Sequence, residues 1–392
     1  MSEAYIVAAT RTAGARRNGR LSGWHPADLA AEVLNALLER TGADPAMIDD
    51  VIMGCVGQAG EQAMNIARNA VLSSRLPETV PGTTVDRQCG SSQQALHFAA
   101  QAVMSGTMDI VMAAGVESMS RVPMGLPTTL PLKNNLGFYV SPGMQRRYPD
   151  VEFSQFIGAE MIAAKCGFSR DMLDAFAFES HRRAIAATKA GRFEREIVPV
   201  AVRTAEGEGA ALPHTIDEGI RFDVTLDGIR GVKPIREDGV ISAASASQIC
   251  DGASGVMVVN ERGLKLLGVT PLARVHHMSV TGHDPVIMLE APIPATQRAL
   301  KKAGMSIADI DLYEVNEAFA PVPLAWLNAL EADPARLNVN GGAIALGHPL
   351  GASGTKLATT LIHALHAGNK RFGLQTMCEG GGLANVTVFE RL

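Results

Sequence analysis

The sequence lacks the features that mark secreted, membrane-spanning and nucleic-acid-binding proteins. Its 392 residues contain 5 cysteines, which form no disulfide framework and no C-x-x-C pair for zinc, so free thiols and no metal are expected. No apolar run approaches the roughly 18 residues that span a bilayer, and no signal-peptide pattern opens the chain. Lys and Arg are scattered and the net charge is -5, which disfavours a nucleic-acid partner. We therefore expect a cytoplasmic protein without membrane insertion.

The composition is that of a globular α/β protein. Apolar residues make up 47% and charged residues 19% of the chain, and the length predicts roughly two to three domains. Continuous apolar strands alternate with amphipathic helices, such as the one that carries Leu29, Val33 and Leu37 on one face. This order predicts a mostly parallel sheet that is covered by helices on both faces.

An internal repeat relates the two ends of the chain. Residues of the same type recur at a constant offset of 262, over about sixty positions. The matched pairs are Gly42 with Gly304, Ile48 with Ile310, Asp49 with Asp311, and Gly106 with Gly368. A constant offset over this length indicates a duplication. Two copies that share a helical layer predict a five-layered αβαβα sandwich.

A third unit interrupts the first copy. The second copy reaches its last strand within a few residues of Cys378, whereas the first copy needs about 132 more, beginning with a stretch rich in proline and glycine. We predict an N-terminal half from residues 1–117 plus 250–270, an inserted loop domain from 118–249, and a C-terminal half from 271–392. The insertion is expected to cover the substrate, because long loops of this kind commonly carry function.

Cys89 is the first candidate catalytic residue. A helical pattern starts just after it, with Ser91 and Ser92 as candidate caps, so the thiol is expected at a helix N-terminus. The unpaired N–H groups and the dipole of that terminus favour a thiolate and lower the thiol pKa. Gly90 leaves room for a substrate carbonyl beside the sulfur. A nucleophile is one interpretation, and a buried structural cysteine is the other.

Two further candidates belong to the second copy. His348 stands between glycine and proline in a glycine-rich loop, which is unusual for a core histidine. It could take the Cys89 proton as general base. Asn316 ends a strand in the stretch NEAF, at the sheet edge where function gathers in parallel sheets. Its amide could hold a water or donate to a developing oxyanion, with helix capping as the alternative.

The stretch CEGGG places Cys378 beside three glycines between two strand-like runs. If the repeat aligns this strand with its equivalent in the first copy, Cys378 ends at the same crevice as Cys89 and His348. Gly380 and its neighbours would then expose N–H groups to an oxyanion, and the thiol of Cys378 could move a proton. Two thiols and one imidazole indicate acyl transfer with carbanion chemistry, since a plain hydrolase needs no second thiol.

Four stretches together resemble the thiolase family, the acyl-CoA C-acetyltransferases. They are CGSS at Cys89, NEAF at Asn316, GGAIALGHPLGASG around His348, and CEGGG at Cys378. The resemblance runs through the whole chain and includes the insertion. It implies a duplicated thiolase fold of two βαβαβαββ halves with an inserted loop domain, assembled as a homodimer or homotetramer. It also implies CoA and acyl-CoA as substrates and no permanently bound cofactor.

The resemblance also assigns roles. It implies that Cys89 attacks the 3-keto carbonyl of a 3-oxoacyl-CoA, that His348 activates Cys89, and that Cys378 protonates the acetyl-CoA enolate that leaves. One oxyanion hole is expected from His348 with a water held by Asn316. The other is expected from the backbone N–H groups of Cys89 and Gly380. Incoming CoA then takes the acyl group.

Contacts with CoA and the choice of substrate follow from the same resemblance. Ser247 falls near the pantetheine, and Arg221 falls at the adenine and phosphate end. Short-chain biosynthetic members usually have His-Met-Gly where this chain has Phe-Ile-Gly from Phe156, and the small residue usual after the last catalytic cysteine is here Glu379. These departures favour a degradative bacterial thiolase, some of which take bulky or ring-bearing acyl chains.

Three other functions stay open at this point. The first is a biosynthetic thiolase that makes acetoacetyl-CoA. The second is a decarboxylating ketosynthase of the same superfamily, against which the second cysteine, Cys378, argues. The third is a catalytically silent thiolase-like protein that binds acyl-CoA or a lipid, against which the filled catalytic positions argue.

Overall fold

The computed structural model describes residues 2–209 and 212–392. The first part of the chain forms, in order, β1 (Tyr5–Thr12), β2 (Ala15–Arg16), α1 (Pro26–Thr41), β3 (Asp50–Gly54), α2 (Ile66–Ser73), β4 (Gly82–Val85), α3 (Ser91–Ser105) and β5 (Ile110–Ser118). Strands and helices alternate here, as the hydrophobic pattern predicted.

The middle and last parts of the chain complete the element order. The segment after β5 forms α4 (Leu126–Lys133), α5 (Pro142–Arg147), α6 (Gln155–Cys166), α7 (Arg170–Lys189), β6 (Ile197–Val198), β7 (Arg203–Thr204), β8 (Gly207–Glu208) and α8 (Leu226–Arg230). The remainder forms β9 (Cys250–Val259), α9 (Glu261–Leu267), β10 (Ala273–Gly282), α10 (Pro292–Ala303), β11 (Leu312–Val315), α11 (Pro321–Leu330), α12 (Ala343–Leu346), α13 (Ser353–Ala367), β12 (Phe372–Glu379) and β13 (Leu383–Arg391).

The main strands follow one path, in the order β11-β12-β13-β10-β1-β9-β5-β3-β4. In the first half β1, β5, β3 and β4 run in one direction, and β9 lies antiparallel between β1 and β5. In the second half β13 lies antiparallel between β10 and β12. Five of the eight neighbouring pairs along the path are antiparallel, including β1 with β10 between the halves. The prediction of a mostly parallel sheet is therefore confirmed only within each half, where the last strand inserts antiparallel between strands that run in one direction. Within the described residues, the second half has no strand equivalent to β4 in the sheet path. A single parallel bridge between Tyr313 of β11 and Leu337 occupies that edge instead.

Helices α3 and α13 form the middle layer of the molecule. One cluster of buried side chains joins them to the inner faces of both half-sheets. Its members include Leu96 and Val103 of α3, Leu361 and Leu365 of α13, and Ile6, Val256, Val275 and Phe389 of the strands. Helices α1 and α2 pack on the outer face of the first half, and α10 and α11 on that of the second. Burial of each large aliphatic side chain contributes about 1.5–3 kcal/mol to the stability of the fold. The three helical layers and the two half-sheets form the predicted five-layered αβαβα sandwich.

The duplication is visible in matched backbone contacts. The Asp49 carboxylate accepts the N–H groups of residues 109 and 110 at 2.7 and 3.0 Å. Asp311, 262 residues later, accepts those of residues 371 and 372 at 2.9 Å each. In both halves one aspartate before a strand thus fixes the start of the next strand in the sheet. The repeat found in the sequence is a structural repeat.

The insertion leaves and rejoins the first half at neighbouring points. Ser118 at the end of β5 pairs with Asp251 near the start of β9. Helices α6 and α7 pack in one cluster with side chains of the second half, among them Met288 and Phe319. The insertion therefore lies against the C-terminal half. The domain boundaries given above stay a prediction.

A buried ion network connects the insertion to both halves. Arg11 of β1 donates to Glu196 at 2.6 Å and to both Asp217 oxygens at 2.8 and 3.0 Å. Lys356 of α13 lies 3.9 Å from Asp217, and Thr360 donates to Glu196 at 3.0 Å. Although burial acts in the opposite direction, Arg11 and then Lys356 hold the pKa of Asp217 below its ordinary value. Two positive and two negative charges are thus paired away from water.

We expect Arg11→Met to lower the free energy of unfolding by about 3–5 kcal/mol, because it leaves Glu196 and Asp217 buried without their main partner. Arg75→Met is the matched control, since Arg75 pairs with Glu39 at the surface, where an ion pair contributes at most about 1 kcal/mol. Urea unfolding followed by circular dichroism measures both. Equal losses in the two variants would contradict the importance of the buried network.

Candidate active site

Cys89 lies directly before α3, at a strained turn of the backbone. Gly90 is the N-cap of the helix. Gln88 has a φ of 48°, in the left-handed region that residues other than glycine seldom adopt. The Asp86 carboxylate accepts the Gln88 N–H at 2.7 Å and so supports this turn. The thiol therefore lies at a helix N-terminus, as expected.

Ser91 and Ser92 do not cap α3. They are its first two residues, and the N-cap glycine has no side chain to offer. The Ser91 hydroxyl donates to the Gln88 carbonyl at 2.6 Å, and the Ser92 hydroxyl accepts the N–H of Thr355 at 3.0 Å. The prediction of serine caps is wrong because these hydroxyls are used to hold the turn and to join α3 to α13.

The sulfur of Cys89 is in a dry environment. The residue is 3% exposed. Burial, and after it the nearby Glu379, raises the pKa of Cys89 to about 12. The prediction that the helix terminus lowers this pKa is wrong, because desolvation outweighs the helix dipole at a buried sulfur. The resting group is a thiol, and it needs a base to become a nucleophile.

Cys378 lies near the end of β12 and is also buried. Burial, and after it Cys89, raises the pKa of Cys378 well above its ordinary value, so the two sulfurs lie within electrostatic reach of one another. The chain then turns through Gly381 and Gly382, with φ values of 84° and 75°. Glycine adopts these values without strain, and this explains the last two residues of CEGGG.

Gly380 connects β12 to this turn and faces the Cys89 loop. A Cβ atom at Gly380 would lie 2.9 Å from the Gln88 side-chain oxygen. The turn that follows Cys378 therefore touches the residue that precedes Cys89. This close approach of two loops explains why the first glycine of CEGGG has no side chain.

The hydrogen bonds of His348 assign its tautomer. Its Nδ1 lies 2.5 Å from the Ser353 hydroxyl, which itself donates to the Pro349 carbonyl at 3.0 Å. Since the hydroxyl proton is used there, Nδ1 carries the ring proton and donates it to the hydroxyl oxygen. Nε2 is then the basic nitrogen, and the Asn316 amide nitrogen approaches it at 3.3 Å. The imidazole is oriented to accept a proton at Nε2.

Lys356 acts on His348 through charge and through the backbone. Burial, and after it Lys356, lowers the pKa of His348 to about 3, so the ring is neutral at pH 7. The Lys356 ammonium, itself buried, donates to the carbonyls of Leu346 and Gly347. These carbonyls end the segment that leads into His348. Lys356 therefore fixes the loop and disfavours the imidazolium.

The loops of Cys89 and His348 meet where α3 crosses α13. A Cβ at Gly354 would lie 2.0 Å from the backbone nitrogen of Gln93, so the two helix N-termini touch through backbone. Asn316 enters from the neighbouring strand edge. Its N–H donates to the Thr376 carbonyl at 3.1 Å, two residues before Cys378. The structure thus brings together Cys89, His348, Asn316, Cys378 and Gly380.

Ser247 lies close to this group, and Arg221 is an exposed residue of the insertion. The Ser247 N–H donates to the Ala318 carbonyl at 2.9 Å, two residues beyond Asn316. Arg221 is exposed on the insertion, where its N–H donates to His181 at 3.3 Å. A half-buried serine and an exposed cation suit the apolar and the charged ends of a long ligand. Both contacts stay predictions.

Sequence reasoning missed Ser353 and Lys356. Both lie in the stretch SGTK that starts α13. The offset of 262 aligns Ser353 with Ser91, so the repeat did contain a signal for the hydroxyl. No such signal existed for Lys356, because its charge matters only once Asp217 of the distant insertion is buried beside it.

The described residues contain neither a cluster of metal ligands nor a membrane-spanning helix. Within residues 2–209 and 212–392, no group of three or more His, Cys, Asp or Glu side chains is arranged to hold a metal ion. No helix in this part of the chain is long and apolar enough to cross a membrane.

Comparison with known proteins gave consistent matches along the chain. The thiolase N-terminal domain model matches residues 4–262, and the thiolase C-terminal domain model matches residues 269–391. A steroid 3-ketoacyl-CoA thiolase of Mycobacterium tuberculosis is 52% identical, over 100% of this chain and 95% of its own. A 3-ketoacyl-CoA thiolase of Yersinia pestis is 43% identical over 100% of both chains. The crystal structure of the Bacillus anthracis acetyl-CoA acetyltransferase matches with a TM-score of 0.91 at 34% identity, over 100% of this chain and 99% of that one.

We expect Lys356→Met to raise the pKa of His348, because the cation that opposes the imidazolium is removed. In the wild type His348 stays neutral down to about pH 3, so labelling of Cys89 by iodoacetamide should show no histidine titration between about pH 5 and pH 8. In the variant the acid limb should move to higher pH than in the wild type, by less than a return to the ordinary histidine value because burial remains the larger cause, and Lys356→Arg, which keeps the charge, should not move it. An acid limb that does not move in Lys356→Met would refute this role.

Proposed function

The chain belongs to the thiolase family, and on that premise we propose how its residues divide the work of the reaction. The enzyme is an acetyl-CoA C-acyltransferase that cleaves 3-ketoacyl-CoA with CoA, giving acetyl-CoA and a shortened acyl-CoA. The observation that carries the assignment is the contact between the Cys89 turn and the residues that follow Cys378, with both cysteines buried and the His348 loop packed against the Cys89 helix.

In the first half-reaction Cys89 is acylated. His348 Nε2 takes the thiol proton, and the sulfur attacks the 3-keto carbon of the substrate. The bond between C2 and C3 then breaks, its electron pair stays on C2 as an enolate, and the acyl group remains on sulfur. Cys378 gives its proton to C2, and acetyl-CoA leaves. A thiol whose pKa is raised by burial suits this step, since it holds a proton until the enolate forms.

In the second half-reaction CoA removes the acyl group. The CoA thiol gives its proton to the Cys378 thiolate, and the CoA sulfur attacks the thioester carbon. The Cys89 sulfur leaves and recovers its proton from His348. Each proton donor of the first half-reaction is thereby restored, so the cycle needs no permanently bound cofactor.

Two sets of donors would stabilise the oxyanions. We assign one to His348 with a water held by Asn316, supported by the 3.3 Å contact between their nitrogens. We assign the other to the N–H groups of Cys89 and Gly380, supported by the contact between Gly380 and the Cys89 loop. Burial makes such dipoles more effective, because water does not screen them.

We propose a degradative role on bulky or ring-bearing acyl chains. Phe156 is 38% exposed, and its ring packs edge-on against Phe319 at 5.3 Å. Phe319 shares an apolar cluster with Met288 and Cys378. An apolar wall beside the proton donor favours a large hydrocarbon group, and the relative named a steroid thiolase agrees with this substrate class.

We further propose that the enzyme is a cytoplasmic homodimer or homotetramer. Five free thiols suit a reducing compartment. Strand β4 lies at the end of the sheet path, and an open strand edge can pair with a second copy. Exposed apolar side chains such as Met64 and Leu136, at 88% and 78% exposure, would gain cover in an assembly.

The two cysteines separate the steps of the reaction. We expect Cys89→Ala to abolish acyl-enzyme formation, because no sulfur remains to accept the acyl group. Cys378→Ala should still be acylated by an acyl-CoA, but its rate of C–C bond cleavage should fall at least about a hundredfold, since general acid catalysis is lost. Intact-protein mass spectrometry and a cleavage assay measure these effects. Equal failure of acylation in both variants would contradict the separate roles.

The substrate range can be tested by CoA-dependent cleavage of 3-oxoacyl-CoA thioesters, from acetoacetyl-CoA to those with steroid side chains. We expect the ring-bearing thioesters to give the higher kcat/KM. Phe156→Ala should reduce that value for them by about tenfold, roughly the loss of one apolar contact surface, and change acetoacetyl-CoA cleavage little. Turnover of acetoacetyl-CoA alone would favour the biosynthetic function, and no turnover of any thioester would favour a silent binding protein.

A further inference from the structure

Glu379 is a buried acid for which the proposed reaction has no use. It follows Cys378 and is 0% exposed. Its carboxyl fills the space beside Gly90, where an added Cβ would lie 1.9 Å from Oε1. It adds to the effect of burial in raising the pKa of Cys89. An acid thus stands next to the position where a negative charge must develop.

The repeat gives Glu379 an equivalent residue, Glu117, at the offset of 262. The Glu117 carboxylate is well supplied with donors at 2.8 to 2.9 Å. These donors are the N–H groups of Val56, Gly57 and Gly351 and the amide of Gln62. Burial raises the pKa of Glu117, and these four donors oppose that rise because they stabilise the charged form of a buried carboxylate. The Gly351 N–H matters most here, because its equivalent in the first copy is the N–H of Cys89.

Glu379 lacks this set of donors. Its Oε1 accepts the Asn385 N–H at 3.0 Å, and its Oε2 has no hydrogen-bond partner in the described part of the chain. A buried carboxylate with so few donors binds a proton. Burial accordingly raises the pKa of Glu379 to about 8, against the opposing effects of Arg87 and of the Asn385 N–H.

We propose that Glu379 is a positioning residue that acts through Cys89 and works in its protonated form. This rests on the proposed function in one respect, the assignment of Cys89 as the acyl acceptor. As a neutral acid, Glu379 puts no charge beside the Cys89 sulfur and leaves the Cys89 N–H available. When Glu379 ionises, its negative charge opposes formation of the Cys89 thiolate. Its unpaired oxygen can then accept the Cys89 N–H, in the way that Glu117 accepts the N–H of Gly351, so that this N–H is no longer available to an oxyanion.

The surrounding charges are compatible with this behaviour. The titratable groups that face Glu379 or Cys89 are Arg87, Asp86, Glu117, Cys378, His97 and His348, and the last is neutral because burial lowers its pKa to about 3. Arg87 is the cation among them, and it favours ionised Glu379. His97 reaches the same place through Asn385 at 3.1 Å, but burial lowers the pKa of His97 to about 3. His97 is therefore neutral whenever Glu379 titrates.

The experiment measures alkylation of Cys89 by iodoacetamide from about pH 6 to pH 10. Peptide mass spectrometry distinguishes Cys89 from Cys378. Because the pKa of Cys89 is about 12, the rate rises throughout this range without a plateau. In the wild type the rise should slow near pH 8, where Glu379 ionises and hinders the thiolate, and in Glu379→Gln it should continue without slowing. At about pH 9 Cys89 should react about tenfold faster than in the wild type, which corresponds to one unit of thiol pKa.

Glu314→Gln is the matched control. Glu314 is another buried carboxyl whose pKa is raised by burial, and it is not among the groups that face Cys89. Its alkylation curve should follow that of the wild type. If Glu379→Gln does not fold, Glu379→Met serves in its place, and the wild-type curve is itself a test. A wild-type rise that does not slow near pH 8, or overlapping wild-type and Glu379→Gln curves, would overturn the proposal.

Acylation by an acyl-CoA in the same preparations keeps this proposal separate from the proposed function. If the alkylation curves differ but Cys89 takes no acyl group, the function assigned to Cys89 fails and the effect of Glu379 stands. If Cys89 is acylated and the curves coincide, the function stands and the role of Glu379 fails. If both hold, the rate of acylation in the wild type should fall relative to that in Glu379→Gln as the pH rises through about 8.

Discussion

The close crossing of α3 and α13 is the constraint on which the site depends. Their N-termini touch through backbone at Gly354 and Gln93, and this contact is possible only where one helix has no side chain. The crossing brings the turn that carries Cys89 against the loop that carries His348, which lie far apart in the chain. The two half-sheets pack on either side of the same helices. Helices α3 and α13 therefore form the centre of the core and also carry the loops of the catalytic residues at their N-termini.

Burial makes the resting site nearly free of charge. It keeps both cysteines as thiols and His348 as imidazole, and it favours a proton on Glu379. A neutral site in a dry environment can hold the proton of each step until negative charge develops. Near His348, the charge of Lys356 is balanced by Asp217, which also pairs with Arg11.

Much of the fold and of the candidate site could be predicted because it is encoded locally. The offset that relates Asp49 to Asp311 identified two equivalent halves, and glycine-rich loops next to helix starts identified Cys89 and His348. The features that could not be predicted depend on residues that are far apart in the sequence and become buried together in the fold. The helix terminus alone suggested a lower pKa for Cys89, and only the packed structure shows that desolvation prevails. The function of Lys356 likewise depends on a partner from the insertion.

The paired ends of the insertion have an evolutionary consequence. Because Ser118 and Asp251 are paired residues of adjacent strands, the segment between them begins and ends at one place in the sheet. Its length can therefore change without moving these two strands. Any replacement of this segment must still supply acids in the positions of Glu196 and Asp217 to pair with Arg11, and a hydroxyl in the position of Ser180 to donate to Glu317.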